Sequence, residues 1–194
     1  MKIILASKSG VRKQILDKYN IDSEVIVSNV DEDEVKESLL AEGADPLSVS
    51  KNLAEIKSIK VSNKNPDRYV LGADSVISLN KELINKPTSR EEALAILKKL
   101  NNSKHYLISS VCISKNGAMV WNHTDSSELK MKNLNDDELS SYLNKIETKT
   151  LTAYGVYQIE ADGLELFEYV KGDKRSIMGL PIKEIINYIE KLKK

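Results

Sequence analysis

Short apolar runs alternate with helical patterns along the chain in an irregular order, and this order limits the architectures open to it. Strands are predicted at residues 2–6, 23–28, 69–79, 106–114, 118–131, 155–159 and 164–170. Helices are predicted over residues 11–19, 31–43, 46–62, 90–100 and 135–146, with a last helix after residue 181. Because hairpins interrupt any regular series of β-α-β units, the sequence predicts an α/β fold with one mixed, twisted sheet flanked by helices.

Turn and capping residues mark several of these boundaries. Asn116-Gly117 predicts a type I′ turn between two long strands, and Asn80-Lys81 predicts a second hairpin. Ser89 is the predicted N-cap of the next helix, and Glu92 is expected to complete a capping box with it. The helix over residues 46–62 is expected to bury four apolar side chains, Leu47, Leu53, Ile56 and Ile59. No internal repeat or long linker divides the 194 residues, which predicts a single domain spanning residues 1–194.

The composition argues against several classes of function. The chain carries 29 Lys+Arg and 29 Asp+Glu, so no overall positive field attracts a nucleic acid. No apolar stretch approaches the roughly 18 to 20 residues that span a bilayer, and the apolar run at the N-terminus is too short for a signal peptide. The single cysteine, Cys112, lies in an apolar run and fits a buried thiol in a reducing compartment. These features predict a cytoplasmic protein without a nucleic-acid or membrane partner.

Residues 7–10 stand where the first predicted strand gives way to the first helix. The free backbone N–H groups and the dipole of a helix N-terminus favour a bound anion there, and Arg12 adds a positive charge. The alternative is that Ser7 or Ser9 only caps the helix, since caps of this kind are common. The spacing alone leaves phosphate binding and simple capping both open.

Two carboxylates are candidates for catalysis or metal binding. Asp74 lies inside an otherwise apolar predicted strand, where an ionised carboxylate needs a cationic partner, a metal ion or a raised pKa. A structural ion pair would meet the same need. Glu32 belongs to the acidic run 31–34, which suits either a solvated first helical turn or a magnesium site beside a phosphate substrate. Lys57 and Lys86 carry little signal by themselves.

Several common catalytic patterns are missing from the sequence. His105 and His123 have no Cys or His partner at metal-ligand spacing, so a zinc site is not predicted. No G-x-S-x-G, Walker A or G-x-G-x-x-G pattern occurs, which removes support for a hydrolase elbow, a P-loop or a dinucleotide-binding fold.

Seven short segments, spread in series along nearly the whole chain, carry a family resemblance. They are LASKSGVR (5–12), VDE (30–32), LAEIK (53–57), LGADSVI (71–77), NKP (85–87), YGVYQIEADG (154–163) and GDKRSIMGLP (172–181). Together they resemble the Maf (septum formation inhibitor-like) family of nucleotide pyrophosphatases. The resemblance implies a fold with a central cleft, similar to that of inosine triphosphatases, and often a homodimer. It also implies that a nucleoside triphosphate is hydrolysed to the monophosphate and pyrophosphate with Mg²⁺ or Mn²⁺.

The resemblance assigns roles to the residues singled out above. It places the catalytic carboxylate on Asp74, the active-site glutamate on Glu32, the two lysines on Lys57 and Lys86, and the serine and second arginine of the first loop on Ser7 and Arg12. The two carboxylates would hold the metal or accept a proton from the attacking water, and the sequence leaves that choice open. The lysines and the arginine would neutralise the triphosphate, while the loop over residues 7–10 would cradle its oxygens.

The first loop departs from the family pattern, and the departure bears on the base of the substrate. The usual S-P-R-R is Ser9-Gly10-Val11-Arg12 here, so the first arginine becomes Val11. In the family this position helps to choose the base, together with two positions that fall on Ser75 and Glu160. Val11 and Glu160 resemble the 7-methyl-GTP type, whereas the hydroxyl of Ser75 resembles the type that takes dTTP and UTP. Because a carboxylate can accept from the N1–H and N2–H₂ edge of guanine, the sequence favours 7-methyl-GTP.

Two alternatives stay open at this point. An inosine or xanthosine triphosphatase of the related fold is disfavoured, because the T-x-N-x-x-K loop of that family is missing. A nucleotide-binding protein that regulates cell division after losing its catalysis is kept open by Gly10 and Val11. Against this second alternative, both candidate carboxylates and both candidate lysines are present.

Overall fold

A seven-stranded sheet forms the centre of a computed structural model that describes residues 1–159 and 161–192. Its strands are β1 (Ile3–Leu5), β2 (Ser23–Val25), β3 (Val70–Leu79), β4 (Glu82–Ile84), β5 (Lys104–Lys115), β6 (Ala118–Met131) and β7 (Phe167–Lys171). They lie in the order β2-β1-β3-β5-β6-β7, and β4 pairs with the end of β3. β1 runs parallel to β2 and β3, and the other pairs are antiparallel. The predicted mixed α/β sheet is confirmed.

Helices flank this sheet, and most of them begin at a side-chain cap. The described residues form α1 (Gly10–Lys18), α2 (Glu32–Ala41), α3 (Pro46–Ser62), α4 (Arg90–Leu100), α5 (Asp136–Asn144), α6 (Thr148–Tyr154), α7 (Lys174–Ile177) and α8 (Ile182–Leu192). Ser89 accepts a hydrogen bond from the N–H of Glu92, as predicted. The predicted capping box does not close, because the Glu92 carboxylate accepts from the backbone and the hydroxyl of Thr88 instead. None of the described helices is long and apolar enough to cross a lipid bilayer.

Both predicted hairpins are confirmed. Asn116 and Gly117 have φ angles of 53° and 76°, and Asn80 and Lys81 have φ angles of 51° and 70°. Positive φ at both central residues is what a type I′ turn requires, and its twist matches that of the flanking strands.

Successive side chains of β3 alternate between two faces that are both covered by helices. On one face, Leu71 packs in a cluster with Leu16 of α1 and Ile185 of α8. On the other face, Val70 packs against Val61 of α3. A larger apolar cluster joins α4, α5 and α6 to β5, β6 and β7. The sheet therefore holds β3 rigidly between two layers of helix.

The face of α3 that meets the sheet differs from the prediction. Leu47 and Ile56 are exposed by 37% and 36%, although both were expected to be buried. The buried face consists mainly of small residues, because α3 lies very close to β3 at Gly72. A Cβ on that glycine would lie 2.1 Å from the carbonyl oxygen of Ala54 and 2.8 Å from the backbone nitrogen of Ser58. Glycine is thus what allows the helix and the strand to touch.

The region before β7 also differs from the prediction. Residues 155–159 form an irregular segment and not the expected strand. Three side chains of this segment are buried in the larger apolar cluster, namely Val156, Tyr157 and Ile159, so their spacing reflects packing and not strand pairing. The segment follows α6, a helix that was not predicted from the sequence. Its N-cap position holds Glu147, which is not one of the usual capping residues and makes no capping hydrogen bond. A 3₁₀ turn over Asp162–Leu166 then delays the start of the last strand to Phe167.

His105 of β5 couples the stability of the fold to pH. Its ring is fully buried, its Nε2 lies 3.0 Å from the hydroxyl oxygen of Tyr157, and burial lowers its pKa from 6.5 to about 4. Between these pH values the unfolded chain binds a proton that the folded chain does not bind. Stability is therefore expected to fall on acidification from pH 7 to pH 4, by about 3 kcal/mol from this group.

Urea unfolding of the wild type and of His105→Gln at pH 7 and at pH 4.5 would measure this contribution. The variant is expected to be less stable at pH 7 and to lose less stability on acidification than the wild type. His123→Gln serves as the control, since that ring is partly exposed on β6. An equal loss on acidification in the wild type and in His105→Gln would contradict the assignment.

Candidate active site

A cleft of about 340 Å³ lies beside β1 and β3, and its lining has two chemically different regions. The polar region contains Ser7, Lys8, Ser9, Arg12, Glu32, Lys36, Lys57, Asp74 and Lys86. The apolar region contains Ile77, Leu83, Ile84, Ile96, Leu107, Val156, Ile159, Ile177 and Met178. Such a combination suits a ligand with a charged end and a flat, weakly polar end.

The sheet fixes which end of the cleft is polar. Residues from the β1–α1 loop and from the segment that follows β2 supply much of the polar region. The second half of β3, together with β4, β5 and α4, supplies much of the apolar region. Because β2 and β1 lie on one side of β3 and β5 lies on the other, Asp74 of β3 stands at the boundary between the two regions.

Two carboxylates and one lysine form a row in the polar region of the cleft. The Lys57 Nζ lies 2.8 Å from Asp74 Oδ1 and 2.9 Å from Glu32 Oε1. Lys57 and Asp74 are both buried, whereas Glu32 is partly exposed. Lys57 lies on the buried face of α3, and the close contact at Gly72 brings that face to β3 two residues before Asp74. The fold thus brings together three residues that the sequence singled out.

The second oxygen of Asp74 is the atom of the row best placed for a ligand. Asp74 Oδ2 is buried and accepts no hydrogen bond from any described residue. A buried carboxylate oxygen without a partner is costly, and a cation or a proton would relieve that cost. Mg²⁺ commonly binds one or two carboxylates and completes its shell with water and phosphate oxygens. Asp74 and Glu32 therefore fit the predicted divalent metal when a phosphate substrate supplies further oxygens.

The structure also limits what the protein alone could offer to a metal ion. Within residues 1–159 and 161–192, no three His, Cys, Asp or Glu side chains come together as a group that could hold one. Glu32 is the first residue of α2, and Asp31 caps that helix. Burial alone would raise the pKa of Glu32, but the positive charges of Lys57, Lys86 and Lys36 lower it below its ordinary value. Glu32 is thus ionised at neutral pH and available to a cation.

Arg12 is held by the protein through four hydrogen bonds. Its Nε donates to the carbonyl oxygen of Gly179 at 2.9 Å, and its Nη1 donates to the carbonyl oxygen of Ala73 at 3.0 Å. Its Nη1 also donates to the Ser7 hydroxyl at 3.1 Å, and its Nη2 donates to the Ser75 hydroxyl at 3.2 Å. A guanidinium has five N–H donors, so one remains for a substrate. Burial lowers the pKa of Arg12, and the carboxylates of the row offset some of that shift.

The remaining predicted residues of the first loop have well-defined surroundings. Ser9 is the N-cap of α1 and accepts from the N–H of Arg12 at 3.4 Å. The hydroxyl of Ser7 is buried and accepts from the N–H of Ser9 at 3.2 Å. Val11 lines the cleft and packs against the cluster under α1. The capping interpretation of these serines is thus confirmed for Ser9, and the loop still faces the cleft.

The other predicted residues fall in three different situations. The Ser75 hydroxyl lines the cleft but is engaged with Arg12 and, at 2.8 Å, with the hydroxyl of Ser109. The Lys86 Nζ lines the cleft and donates to the carbonyl oxygen of Ala153 at 2.9 Å, and burial lowers its pKa. Glu160 lies outside the described residues. Which of these side chains act on a substrate stays a prediction.

Three features of the cleft were not predicted from the sequence. Lys36 joins its polar lining a single helical turn after Glu32, and this i, i+4 spacing was the signal that could have identified it. Residues 153–159 form a wall of the cleft, although residues 155–159 were predicted to be a strand. Gly179 contributes a carbonyl oxygen, and its φ of 101° lies in the region that favours glycine.

Comparison with known families now identifies the chain. A sequence model described as Maf-like protein matches residues 2–192. The chain belongs to the Maf family. The resemblance inferred from seven short segments is confirmed for this Maf protein, and each of those segments contributes residues to the lining of the cleft.

Two bacterial proteins illustrate what the chain is similar to in sequence. This Maf chain is 57% identical over 192 residues to a nucleoside triphosphate pyrophosphatase of Pelagibacter ubique (strain HTCC1062), covering 99% of the chain and 98% of that protein. It is 34% identical over 186 residues to a 7-methyl-GTP pyrophosphatase of Brucella abortus biovar 1 (strain 9-941), covering 96% of the chain and 94% of that protein. A solved structure of a HAM1 protein from Coxiella burnetii is 14% identical with a TM-score of 0.47, covering 69% of this chain and 74% of that one.

Proposed function

We propose that this Maf protein hydrolyses a nucleoside triphosphate to the nucleoside monophosphate and pyrophosphate. The observation that carries the proposal is the buried Asp74, whose free oxygen stands between a polar and an apolar region of the same cleft. The names of the similar proteins support the same activity. The apolar region suits a nucleobase, and the polar region suits the phosphates.

The residues of the row have separate tasks in this reaction. A water oxygen bonds to the α-phosphorus, the bond from that phosphorus to the oxygen bridging the β-phosphate breaks, and a proton passes to Asp74 or Glu32. Lys57 holds both carboxylates in place through its two ion pairs. Lys86 and the remaining N–H of Arg12 face the negative charge that develops on the departing pyrophosphate.

A divalent cation also belongs to the proposal. Asp74 and Glu32 would hold it, with Asp74 Oδ2 as the oxygen that has no other described partner. When bound, Mg²⁺ or Mn²⁺ would neutralise phosphate charge and polarise the water.

The proposed substrate preference is 7-methyl-GTP over UTP and dTTP. Val11 leaves the first loop without the arginine of the pyrimidine type, and Glu160 supplies a carboxylate for the base. The 7-methyl group makes guanine cationic, which a carboxylate favours. The Brucella relative named above bears the corresponding name. A homodimer and a cytoplasmic location complete the proposal and rest on the family resemblance and the composition.

Pyrophosphate release by the purified protein would test this function directly. The panel contains 7-methyl-GTP, UTP, dTTP and ITP, each with Mg²⁺, with Mn²⁺ and with EDTA. We expect turnover of one or two substrates, the highest kcat/KM with 7-methyl-GTP, and loss of turnover in EDTA.

The other outcomes separate the elements of the proposal. Faster hydrolysis of UTP or dTTP would overturn the base preference and leave the activity standing. Full turnover in EDTA would overturn the metal requirement. Nucleotide binding without pyrophosphate release from any substrate would overturn the catalytic function, and the regulatory nucleotide-binding alternative would take its place.

A further inference from the structure

The cations of the cleft are not equally available to a phosphate. Lys57 is already shared between two carboxylates, at 2.8 and 2.9 Å. Arg12 makes four hydrogen bonds from its five N–H groups to acceptors of the protein. Lys86 and one N–H of the guanidinium balance only part of the charge of a triphosphate, and the proposed divalent cation and the exposed Lys8 of the first loop can balance more of it. Lys36 is a further lysine of the lining, and it is free to turn toward the ligand because its ion pair is with an exposed carboxylate.

Lys36 of α2 has the position and the freedom that this task requires. It lines the polar region of the cleft, and its side chain is only 16% exposed. Among the described residues its ion pair is with Asp33, at 3.4 Å, and the Asp33 side chain is 90% exposed. Ion pairs of this exposed kind contribute little to stability, so exchanging Asp33 for a phosphate oxygen costs little. The positive charge of Lys36 also reaches Glu32, because it lowers the pKa of that carboxyl.

The place of Lys36 in the cleft indicates which phosphate it meets. Lys36 lies on α2, the helix that comes after β2 in the chain. β2 is at the edge of the sheet, and β1 separates it from β3. The apolar region of the cleft, suited to the base, lies along the second half of β3 and beyond. With the base in that region and the reacting α-phosphorus at Asp74, the β- and γ-phosphates extend toward β2.

We propose that Lys36 is a binding residue for the leaving pyrophosphate, at the β2 end of the cleft. This inference rests on the proposed function, since only cleavage between the α- and β-phosphates makes pyrophosphate the product. Lys36 contacts the two outer phosphates in the bound triphosphate and stays with them as they depart. It has no contact with the monophosphate that remains near the apolar region.

Separate binding of the two products provides the test. The dissociation constants of inorganic pyrophosphate and of the nucleoside monophosphate are measured by calorimetry with Mg²⁺, in the wild type and in Lys36→Met. Loss of one charge-assisted contact is expected to weaken pyrophosphate binding roughly tenfold. Binding of the monophosphate is expected to stay within about twofold. Lys36→Arg, which keeps the charge, should restore most of the affinity for pyrophosphate.

Two control variants separate a direct contact from a general effect. Asp33→Asn removes the ion-pair partner of Lys36 and should bind pyrophosphate at least as tightly as the wild type. Lys13→Met removes a half-buried lysine that pairs with Asp17 on α1 and does not line the cleft, so its pyrophosphate affinity should not change. Unchanged pyrophosphate binding in Lys36→Met, or equal weakening for both products, would overturn the inference.

Pyrophosphate release by the wild type keeps this inference apart from the proposed function. Wild-type turnover combined with unchanged pyrophosphate binding in Lys36→Met overturns the role of Lys36 alone. No wild-type turnover of any triphosphate overturns the proposed function, and the role of Lys36 in catalysis then falls with it.

Discussion

Replacing Asp74 with asparagine is expected to lower kcat for pyrophosphate release by about 10³-fold. The amide has nearly the same shape, but it can neither take up a proton from water nor hold a divalent cation as a carboxylate does. KM should change by a few-fold at most, because the substitution leaves the apolar region of the cleft and Lys86 unchanged. Steady-state kinetics on the best substrate of the panel would measure both constants.

The effect of Asp74→Asn must be distinguished from a loss of folding. Lys57 keeps Glu32 as a partner at 2.9 Å in the variant, so the buried ammonium is not left without a counter-charge. A thermal unfolding curve would show whether the variant is folded. Asp17→Asn is the matched control, since it removes a carboxylate paired with Lys13 on α1 and should keep full activity. Asp74→Asn with wild-type kcat would contradict the assigned role.

Replacing Gly72 with alanine is expected to have the largest effect on stability. The added Cβ would lie 2.1 Å from the carbonyl oxygen of Ala54, and backbone atoms cannot turn aside as a flexible side chain can. The helix α3 must therefore move away from β3, and the free energy of unfolding should fall by about 3 kcal/mol. For a chain of this size this corresponds to a drop in Tm of about 6 to 12 °C.

The displacement of α3 should also affect the reaction. Lys57 travels with the helix, so its ion pair with Asp74 lengthens and kcat should fall even where the variant is folded. Gly10→Ala is the control for stability, because its Cβ would meet only the Tyr154 hydroxyl oxygen, at an ordinary 3.8 Å. Differential scanning calorimetry on both variants would test the prediction. A Tm for Gly72→Ala within about 2 °C of the wild type would contradict it.

The sequence predicted the elements whose pattern has a local cause. Turn residues such as Asn116-Gly117 and caps such as Ser89 act over a few positions, and the structure has them where they were expected. The packing of α3 could not be predicted in this way, because the close approach of α3 to the sheet at Ala54 and Ser58 depends on Gly72, a glycine in another element. The irregular segment 155–159 was wrongly predicted as a strand for a different reason. A buried loop and a buried strand can show the same apolar spacing.

The sequence predicted which residues form the candidate site better than it predicted how they are arranged. The resemblance named Asp74, Lys57 and Glu32, and the fold places both carboxylates within hydrogen-bond distance of the lysine. What the sequence did not reveal is how the charges are shared. Arg12 was expected to face the substrate, yet its contacts within the protein occupy most of its donors. The contacts with Ala73, Ser75 and Gly179 span 61, 63 and 167 positions of the chain, and no local pattern encodes them.

The hydrogen bond between Arg12 and Gly179 has a consequence for how the protein is made. These residues are 167 positions apart, so the first loop of the site is completed by a segment that is synthesised much later than the loop itself. In a chain that is still being translated, the guanidinium lacks this one of its four acceptors until Gly179 has left the ribosome. Nascent chains therefore carry an unfinished site. The anchoring of Arg12 is complete only after the segment around Gly179 has emerged and packed against the first loop.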